Sequence, residues 1–394
     1  MTGYRIKVLN KIAPEGLALF TERFQVSSEE PDPHGILVRS AKVDTATYPS
    51  LLAVARAGAG VNNITVAQAT EQGVCIFNTP GANANAVAEL VFVMLGIQVR
   101  NIHHSLAFSQ SLAGLADKEI ASRIEKQKSL FKGFELAGKT LGVLGLGKIG
   151  IRVANGGIMR QMRVIGFDPF PALENIHDLS PEVSLSRSLF EMVGKSDIFT
   201  VHTPLNEKTR GLVNSELINR LPNGAILVNY ARGPVVDEQA VLAALASGRL
   251  SAYITDFPTS AILAHPQIIA TPHLGASTEE SEEQCACMAA KELRGYLEYG
   301  TITHSVNFPT AESVPSGKVH TRFIMINRDI PDMIGFASHA IGASNINIAS
   351  YLNESNGAIG YNIIDLESAI PEHLVAEIEA HPGVIRTRVI PYTS

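Results

Sequence analysis

The chain has 394 residues, enough for two or three domains. Hydrophobic residues make up 45% of it and charged residues 18%, which excludes an intrinsically disordered chain. The formal net charge of −6 gives no reason to expect a nucleic-acid partner.

The sequence shows no sign of a membrane or secretory protein. Its N-terminus lacks the apolar core of a signal peptide. The longest strongly apolar stretch, Val87–Val99, is too short to span a bilayer. The three cysteines, Cys75, Cys285 and Cys287, are an odd number, so we interpret them as reduced rather than as a disulfide framework. These features predict a cytoplasmic protein without a membrane partner, and we expect no metal site.

Short apolar runs alternate with helix-like segments in the first part of the chain. The connections are too long for hairpins, so the pattern predicts parallel strands joined by helices. The predicted strands are Arg5–Leu9, Gln25–Ser27, Gly35–Val38, Ala53–Ala57 and Val74–Phe77. From Asn83 to Arg100 the apolar residues follow the spacing of one helix face.

A second set of strand-like runs follows, again separated by helical segments. Six such strands suit one doubly wound dinucleotide-binding domain. They are Thr140–Leu144, Arg163–Phe167, Ile198–His202, Ala225–Asn229, Ala252–Thr255 and Ile268–Ala270. A long helix is predicted over Glu279–Tyr299.

The end of the chain reads as a separate small module. Asn307–Gly317 mixes two prolines with small polar residues and is typical of a linker. After it, strands and helices alternate in the order βαββαβ, a common small regulatory or ligand-binding unit. The predicted elements are Val319–Asn327, Asp332–Ile341, Asn347–Leu352, Gly360–Leu366, Glu372–Ala380 and Val384–Ile390.

A glycine-rich motif is the sharpest local signal. Gly145, Gly147 and Gly150 form G-x-G-x-x-G directly after an apolar strand and before a helical segment. Glycines at these positions allow a tight turn, backbone approach to a pyrophosphate and close packing of helix on strand. Asp168 ends the next strand, where a carboxylate accepts hydrogen bonds from ribose hydroxyls and repels a 2′-phosphate. The motif therefore predicts a nicotinamide site that takes NAD rather than NADP.

The order of motifs along the chain resembles the D-2-hydroxyacid dehydrogenase family. The motifs are Gly145–Gly150, Asp168, Val201–Pro204, Asn229–Gly233 and Thr271–Thr278 in the second set of strands, with Ala57–Ile64 and Asn78–Asn83 in the first. The tail, residues 318–394, resembles an ACT domain, a small βαββαβ regulatory module. Together these cover nearly the whole chain.

The resemblance implies an α/β fold in which a Rossmann-like NAD-binding domain is inserted in a flavodoxin-like substrate-binding domain. The implied bounds are 1–93 with 275–305 for the substrate-binding domain, 94–274 for the NAD-binding domain, 306–317 for a linker and 318–394 for the ACT domain. The implied reaction is NAD-dependent oxidation of D-3-phosphoglycerate to 3-phosphohydroxypyruvate, the first step of L-serine biosynthesis. ACT domains usually pair, so a homodimer or homotetramer is expected.

Two residues match the chemistry of that reaction. Oxidising a 2-hydroxy acid requires a cation for its carboxylate and a base for its hydroxyl proton. Arg232 follows a strand end and can bind a carboxylate with two hydrogen bonds. His273 follows another strand end and can act as general base in one direction and general acid in the other. The family Glu that holds this His falls at Ser260, which cannot stabilise an imidazolium by charge.

The resemblance also implies binding residues by position. The cofactor-binding residues are Gly145, Gly147, Lys148, Ile149, Gly150, Asp168, His202, Thr203, Pro204, Ala231, Asp256 and His273. Asp256 matches an acidic residue of the family that contacts the nicotinamide carboxamide, while alignment on Phe257 places Thr255 at that position. The substrate-binding residues are Arg39, Ala57, Gly58, Asn83 and Arg232. Asp329 and Asn347 are the candidate contacts for an amino-acid effector such as L-serine.

Two other functions remain open from the sequence. One is a dehydrogenase of the same family that acts on a different 2-hydroxy acid. The other is a catalytically weak NAD(H)-sensing protein whose output is a protein contact, an alternative that Ser260 favours and that Arg232 and His273 oppose.

Overall fold

The computed structural model describes residues 3–315 and 319–392 of the chain. The chain divides into two compact units, Met1–Asn83 with Glu279–Ser394, and Ala84–Thr278. The predicted bounds of the substrate-binding and NAD-binding domains remain a proposal, and the bound at residue 93 falls inside a helix that lies whole in the second unit. The last two residues of the predicted linker and the first of the predicted ACT domain, 316–318, lie outside the described residues.

Sixteen strands and thirteen α-helices are formed by the described residues. The strands are β1 (Tyr4–Leu9), β2 (Phe24–Ser27), β3 (Gly35–Val38), β4 (Ala53–Arg56), β5 (Cys75–Phe77), β6 (Thr140–Leu144), β7 (Arg163–Phe167), β8 (Ser184–Leu185), β9 (Ile198–Val201), β10 (Ala225–Asn229), β11 (Leu250–Thr255), β12 (Ile268–Ala270), β13 (Thr321–Arg328), β14 (Ile348–Ser355), β15 (Ile359–Leu366) and β16 (Val384–Pro391). The helices are α1 (Pro14–Leu17), α2 (Val66–Glu71), α3 (Ala84–Val99), α4 (Ile102–Ser111), α5 (Asp117–Gln127), α6 (Lys148–Met159), α7 (Leu173–His177), α8 (Leu189–Gly194), α9 (Ser215–Ile218), α10 (Glu238–Ala246), α11 (Glu279–Tyr299), α12 (Met333–Ala343) and α13 (Glu372–Glu379).

The first unit contains a parallel sheet in the order β2-β1-β3-β4-β5, which is the flavodoxin-like order. Strand β3 is buried along its whole length, as expected for a central parallel strand covered on both faces. Helix α11 packs against β3, β4 and β5. Gly35 permits this close approach, since a Cβ there would lie 3.0 Å from a methyl carbon of Leu293. The prediction of a flavodoxin-like sheet is confirmed.

The second unit is a Rossmann-type domain, as predicted. Its sheet has the order β12-β11-β10-β9-β6-β7-β8, with β9 at the centre and β6 beside it at the point where the order reverses. The sequence predicted six of these seven strands. Strand β8 was missed because it has only two residues, Ser184 and Leu185, and both are exposed, so no apolar run marks it.

The tail has the predicted βαββαβ order and forms an antiparallel sheet, β14-β15-β13-β16. One face of this sheet packs on α12 and α13. The other face joins the apolar core of the first unit through six buried side chains. These are Ile324, Ile326, Ile359, Tyr361, Ile363 and Ile390, which share a core with residues of the flavodoxin-like sheet and of α11. The tail sheet is therefore part of the first unit.

Among the helices of the described residues, none is a clear membrane span. In the described part of the chain, no single helix combines the length and hydropathy that crossing a bilayer requires. Helices α3 and α4 meet that test only when they are taken together, and the chain bends by 59° between them.

Candidate active site

The glycine loop lies between β6 and α6. Gly145 has a φ of +91°, a conformation that favours glycine, and a Cβ there would lie 2.9 Å from the carbonyl group of His202. At Gly150 a Cβ would meet the carbonyl oxygen of Gly145. Gly147 caps the helix and has no atom within 4 Å of its Cβ position, so its outer side is open. Lys148, Ile149 and Gly150 then form the first turn of α6, whose amide groups suit an anion.

Asp168 stabilises this loop by a hydrogen bond to its backbone. It follows β7, and its Oδ2 accepts a hydrogen bond of 2.8 Å from the amide of Leu146, between the first two glycines. Its Oδ1 accepts a bond of 2.9 Å from the amide of Phe170. The carboxylate thus lies at the glycine loop, and ribose binding by Asp168 stays a prediction.

The segment after β9 lies beside the glycine loop. The amide of His202 donates to the carbonyl of Leu144 at 2.8 Å. The ring atom Nε2 of His202 lies 2.8 Å from Thr200 Oγ1. Burial lowers the pKa of His202 to about 3, so this ring is neutral near neutral pH. Within the described residues, the buried atoms His202 Nδ1 and Thr203 Oγ1 have no hydrogen-bond partner. Buried polar atoms in this condition are expected to bind a ligand or water, and they fit a dinucleotide that rests on the adjacent loop.

Arg232 follows β10 and is held by Asn229, the last residue of that strand. The side chain of Asn229 donates to the carbonyl of Arg232 at 3.0 Å and accepts from the amide of Ala231 at 3.0 Å. The guanidinium of Arg232 is half-buried and donates to the carbonyl of Ala231 at 2.7 Å. No acidic side chain among the described residues pairs with it, so Arg232 is available for an anion.

His273 follows β12 in a strained turn. Its φ is +57°, and its amide donates to the carbonyl groups of Asp256, at 3.2 Å, and Thr271, at 3.0 Å. The ring is exposed and packs edge-on against Phe257, with ring centroids 5.3 Å apart. No hydrogen bond to the ring from Ser260 or any other residue is found in the part of the chain that the structure describes.

Asp256 lies beneath this turn and is only 2% exposed. Its carboxylate accepts hydrogen bonds from Thr271 Oγ1 at 2.6 Å and from the amides of Leu274 and Gly275, each at 2.7 Å. Both oxygens are therefore bound to the turn that carries His273, and a contact with nicotinamide stays a prediction. Sequence reasoning did not find this set of contacts.

The predicted substrate-binding residues of the first unit lie in the loops after β3, β4 and β5. Arg39 Nη2 lies 2.7 Å from Glu282 Oε1, a partner on α11 that the sequence analysis did not find. The amide of Ala57 donates to Val38, and the carbonyl of Gly58 accepts from the amide of Thr79 at 3.2 Å. Asn83 directly precedes α3 and is partly buried.

The two candidate effector contacts are not close together in one chain. Asp329 follows the end of β13 that pairs with Ile359, and its Oδ2 accepts from Ser355 Oγ at 2.6 Å. Asn347 precedes the end of β14 that pairs with Leu366. These are opposite ends of the tail sheet, so a single small effector cannot touch both residues of the same tail.

Comparison with known proteins places these features in a family. Residues 102–275 match the family model of the D-isomer specific 2-hydroxyacid dehydrogenase NAD-binding domain. D-3-phosphoglycerate dehydrogenase of Haemophilus influenzae is 30% identical over 374 residues, covering 91% of this chain and 87% of that protein. The Bacillus subtilis protein of the same name is 34% identical over 326 residues and 78% of this chain. The chain spans only 59% of the length of that relative.

Solved structures are similar to this chain over about three quarters of its length. An NAD⁺-bound 3-phosphoglycerate dehydrogenase from Entamoeba histolytica is similar with a TM-score of 0.61 and 28% identity, covering 77% of this chain and 99% of that one. The TT0316 protein of Thermus thermophilus is similar with a TM-score of 0.64 and 26% identity, with the same coverage.

Proposed function

The chain belongs to the D-2-hydroxyacid dehydrogenase family, and on that premise we propose that it is an NAD-dependent enzyme that oxidises D-3-phosphoglycerate to 3-phosphohydroxypyruvate, the first step of L-serine biosynthesis. One observation carries the proposal. Arg232, without an acidic partner in the described residues, and the exposed ring of His273 follow β10 and β12, at the carboxyl edge of the sheet that also bears the glycine loop. That edge is where open α/β sheets bind their ligands.

The chain's own residues divide the work of the reaction. The amides at the start of α6 would bind the pyrophosphate of NAD, and Asp168 would bind the adenosine ribose and disfavour NADP. When bound, NAD⁺ would accept the hydride from C2 of the substrate. The guanidinium of Arg232 binds the substrate carboxylate. The imidazole of His273 accepts the C2 hydroxyl proton during oxidation and returns it during reduction.

The test is the oxidation of NADH by purified protein with 3-phosphohydroxypyruvate. Glyoxylate, 2-oxoglutarate and hydroxypyruvate serve as competing substrates. We expect preferred turnover of the phosphorylated acid, and a loss of about 10²–10⁴-fold in His273→Ala with NADH binding retained. Activity that survives in His273→Ala contradicts the assigned role.

A second substrate class is favoured by one contact. Arg39 is a predicted substrate-binding residue whose positive charge suits the substrate phosphate, but it is already paired with Glu282 at 2.7 Å. If Arg39 keeps that partner, an unphosphorylated 2-hydroxy acid is the better substrate. Arg39→Met separates the two cases, because it raises KM for 3-phosphohydroxypyruvate only if Arg39 binds the phosphate.

We further propose that the tail is an ACT domain that binds an amino-acid effector between two copies of the chain. Asp329 and Asn347 lie at opposite ends of one sheet, so only a partner's tail can bring the two residue types together. Strand β14 is an open edge of that sheet, which suits pairing in a homodimer or homotetramer. Inhibition by L-serine that is lost in Asn347→Ala is the expected result, and a serine-insensitive wild type contradicts it.

A further inference from the structure

Two buried polar residues lie at the carboxyl ends of adjacent strands, beneath the candidate catalytic residues. Asn229 is the last residue of β10 and is 0% exposed, and Asp256 directly follows β11 and is 2% exposed. The amide of Asp256 donates to the carbonyl of Asn229 at 3.3 Å. Burying polar side chains at this depth is costly unless every one of them is satisfied, so their partners indicate what they hold.

Each of the two residues holds a different loop. Asn229 binds the main chain on both sides of the Ala231–Arg232 peptide. Asp256 accepts from Thr271, Leu274 and Gly275 through its side chain and from His273 through its carbonyl. In addition, a Cβ on Gly275 would lie 3.2 Å from Asp256 Oδ2, a tight contact that glycine avoids.

We propose that Asn229 and Asp256 form a buried positioning pair that sets the main chain of Arg232 and His273. The contacts of this pair fix the backbone of the 271–275 turn and thereby orient the imidazole of His273. In this chain they take the place of a carboxylate hydrogen-bonded to the ring. The inference rests on the proposed function in that it takes His273 as the proton-transferring group.

The physical need for such a pair follows from two features of His273. A φ of +57° is unfavourable for a residue other than glycine and persists only where surrounding contacts enforce it. At the same time, Ser260 stands where the family has the charged partner of the imidazole, so the side chain at this position orients the ring only weakly. Three hydrogen bonds to one carboxylate supply the constraint, since bonds to an ionised acceptor are the stronger kind.

The decisive variant is Asp256→Asn, which keeps the shape of the side chain but replaces one acceptor oxygen by an amide group. We expect kcat to fall about 100-fold while the NADH dissociation constant, measured by fluorescence titration, changes less than about threefold. We also expect faster hydrogen exchange at the amides of Leu274 and Gly275. If the carboxylate instead binds the nicotinamide carboxamide, NADH affinity falls and the exchange rates stay unchanged, which overturns the inference.

A matched control and two milder variants keep the test decisive. Asp197 also accepts from a backbone amide, that of Thr140 at 2.8 Å, but at the opposite edge of the same sheet. We expect Asp197→Asn to leave kcat and the exchange of the 271–275 turn unchanged. If Asp256→Asn does not fold, Thr271→Val removes one of the three bonds and should lower kcat about fivefold.

Asn229 is tested separately through Arg232. Asn229→Leu should raise KM for the 2-oxo acid about tenfold with faster exchange at Ala231, because the arginine loop loses two hydrogen bonds. An unchanged KM and unchanged exchange remove Asn229 from the pair. If the wild type turns over no 2-oxo acid at all, the proposed function fails, whereas the exchange comparison still tests whether Asp256 holds the turn.

Discussion

At the level of single residues, the proposed reaction depends on the imidazole of His273 and on the hydroxyl of Ser260. In the family, a Glu at the position of Ser260 would stabilise the protonated ring. Here the ring has an aromatic neighbour, Phe257, and a backbone held from below by Asp256. On the proposed roles, Asp256 orients the ring through the backbone, whereas Ser260 cannot stabilise the protonated ring by charge.

Restoring the charge tests this separation. In Ser260→Glu we expect turnover to rise, by about tenfold, and its pH dependence to shift upward, because a carboxylate stabilises the imidazolium. Steady-state rates across a pH series measure both effects. Ser260→Gln is the control, since it adds similar bulk without charge, and a Glu variant that is no faster than this control contradicts the prediction.

At the level of the element, α11 carries a buried carboxyl that its sequence does not reveal. The helix is rich in glutamate, and most of these residues are exposed, but Glu292 is 7% exposed. Its Oε1 lies 2.6 Å from His304 Nδ1, and burial raises the pKa of Glu292 to about 8.

This residue should make the stability of the protein depend on pH. The folded chain keeps the proton of Glu292 up to about pH 8, while the unfolded chain releases it near its ordinary value of 4.5. Since the folded state binds more protons, the free energy of unfolding should fall as pH rises through this interval. Urea unfolding of wild type and Glu292→Gln measures the effect. The decline should be smaller in the variant and unchanged in Glu283→Gln, an exposed residue of the same helix.

A second feature at the level of the element is a buried ion pair between two neighbouring strands of the tail sheet, β13 and β15. Arg322 and Asp365 are 0% and 2% exposed, and two hydrogen bonds of 2.7 and 2.8 Å connect them. Arg322 also donates to the carbonyl groups of Tyr299, at the end of α11, and Ser313. The pair therefore ties the tail to the carboxyl end of α11, where a cation is favourable.

Breaking this pair should be costly. We expect Asp365→Ala to lower the free energy of unfolding by about 3–5 kcal/mol, because it leaves the buried guanidinium uncompensated. Denaturant titration gives the value. As a comparison, Glu191→Ala breaks the exposed pair with Lys195 and should lower the free energy of unfolding much less, because water already screens that pair. Equal costs for the two variants would contradict the prediction.

At the level of the whole molecule, the tail contributes side chains to the apolar core of the first unit. Six of its apolar side chains lie in the core that also contains residues of the flavodoxin-like sheet. Arg388 donates to the carbonyl groups of Tyr296 and Leu297 on α11, and Arg386 to that of Leu51. Removing the tail would expose this core to water.

A chain truncated after Glu312 should therefore be unstable and prone to aggregate. Each of the six side chains contributes about 1.5–3 kcal/mol by burial, so the loss is comparable to the whole stability of a domain. Size-exclusion chromatography and thermal unfolding of the truncated chain provide the measurement. A monodisperse product with an unchanged Tm would show that the tail does not stabilise the first unit.

The sequence alone determined the elements and their order to a large extent. Strands such as Gly35–Val38 and Thr140–Leu144 were predicted with their observed bounds, because a fully buried parallel strand is a continuous apolar run between turn residues. The glycine loop was equally clear, since only glycine satisfies the conformation at Gly145. Strand β8 carried no such signal.

Only the tertiary structure decided how the polar residues are used. Asp256 was expected to face a cofactor, and the structure shows it bonded to a turn 15 to 19 residues further along the chain. Similarly, Arg39 is bound by Glu282 and Arg322 by Asp365, pairs that are far apart in sequence. The physical reason is that apolar periodicity records only whether a side chain is buried. The partner of a buried charge depends on which strand ends and helices the fold brings together, and local sequence does not encode that.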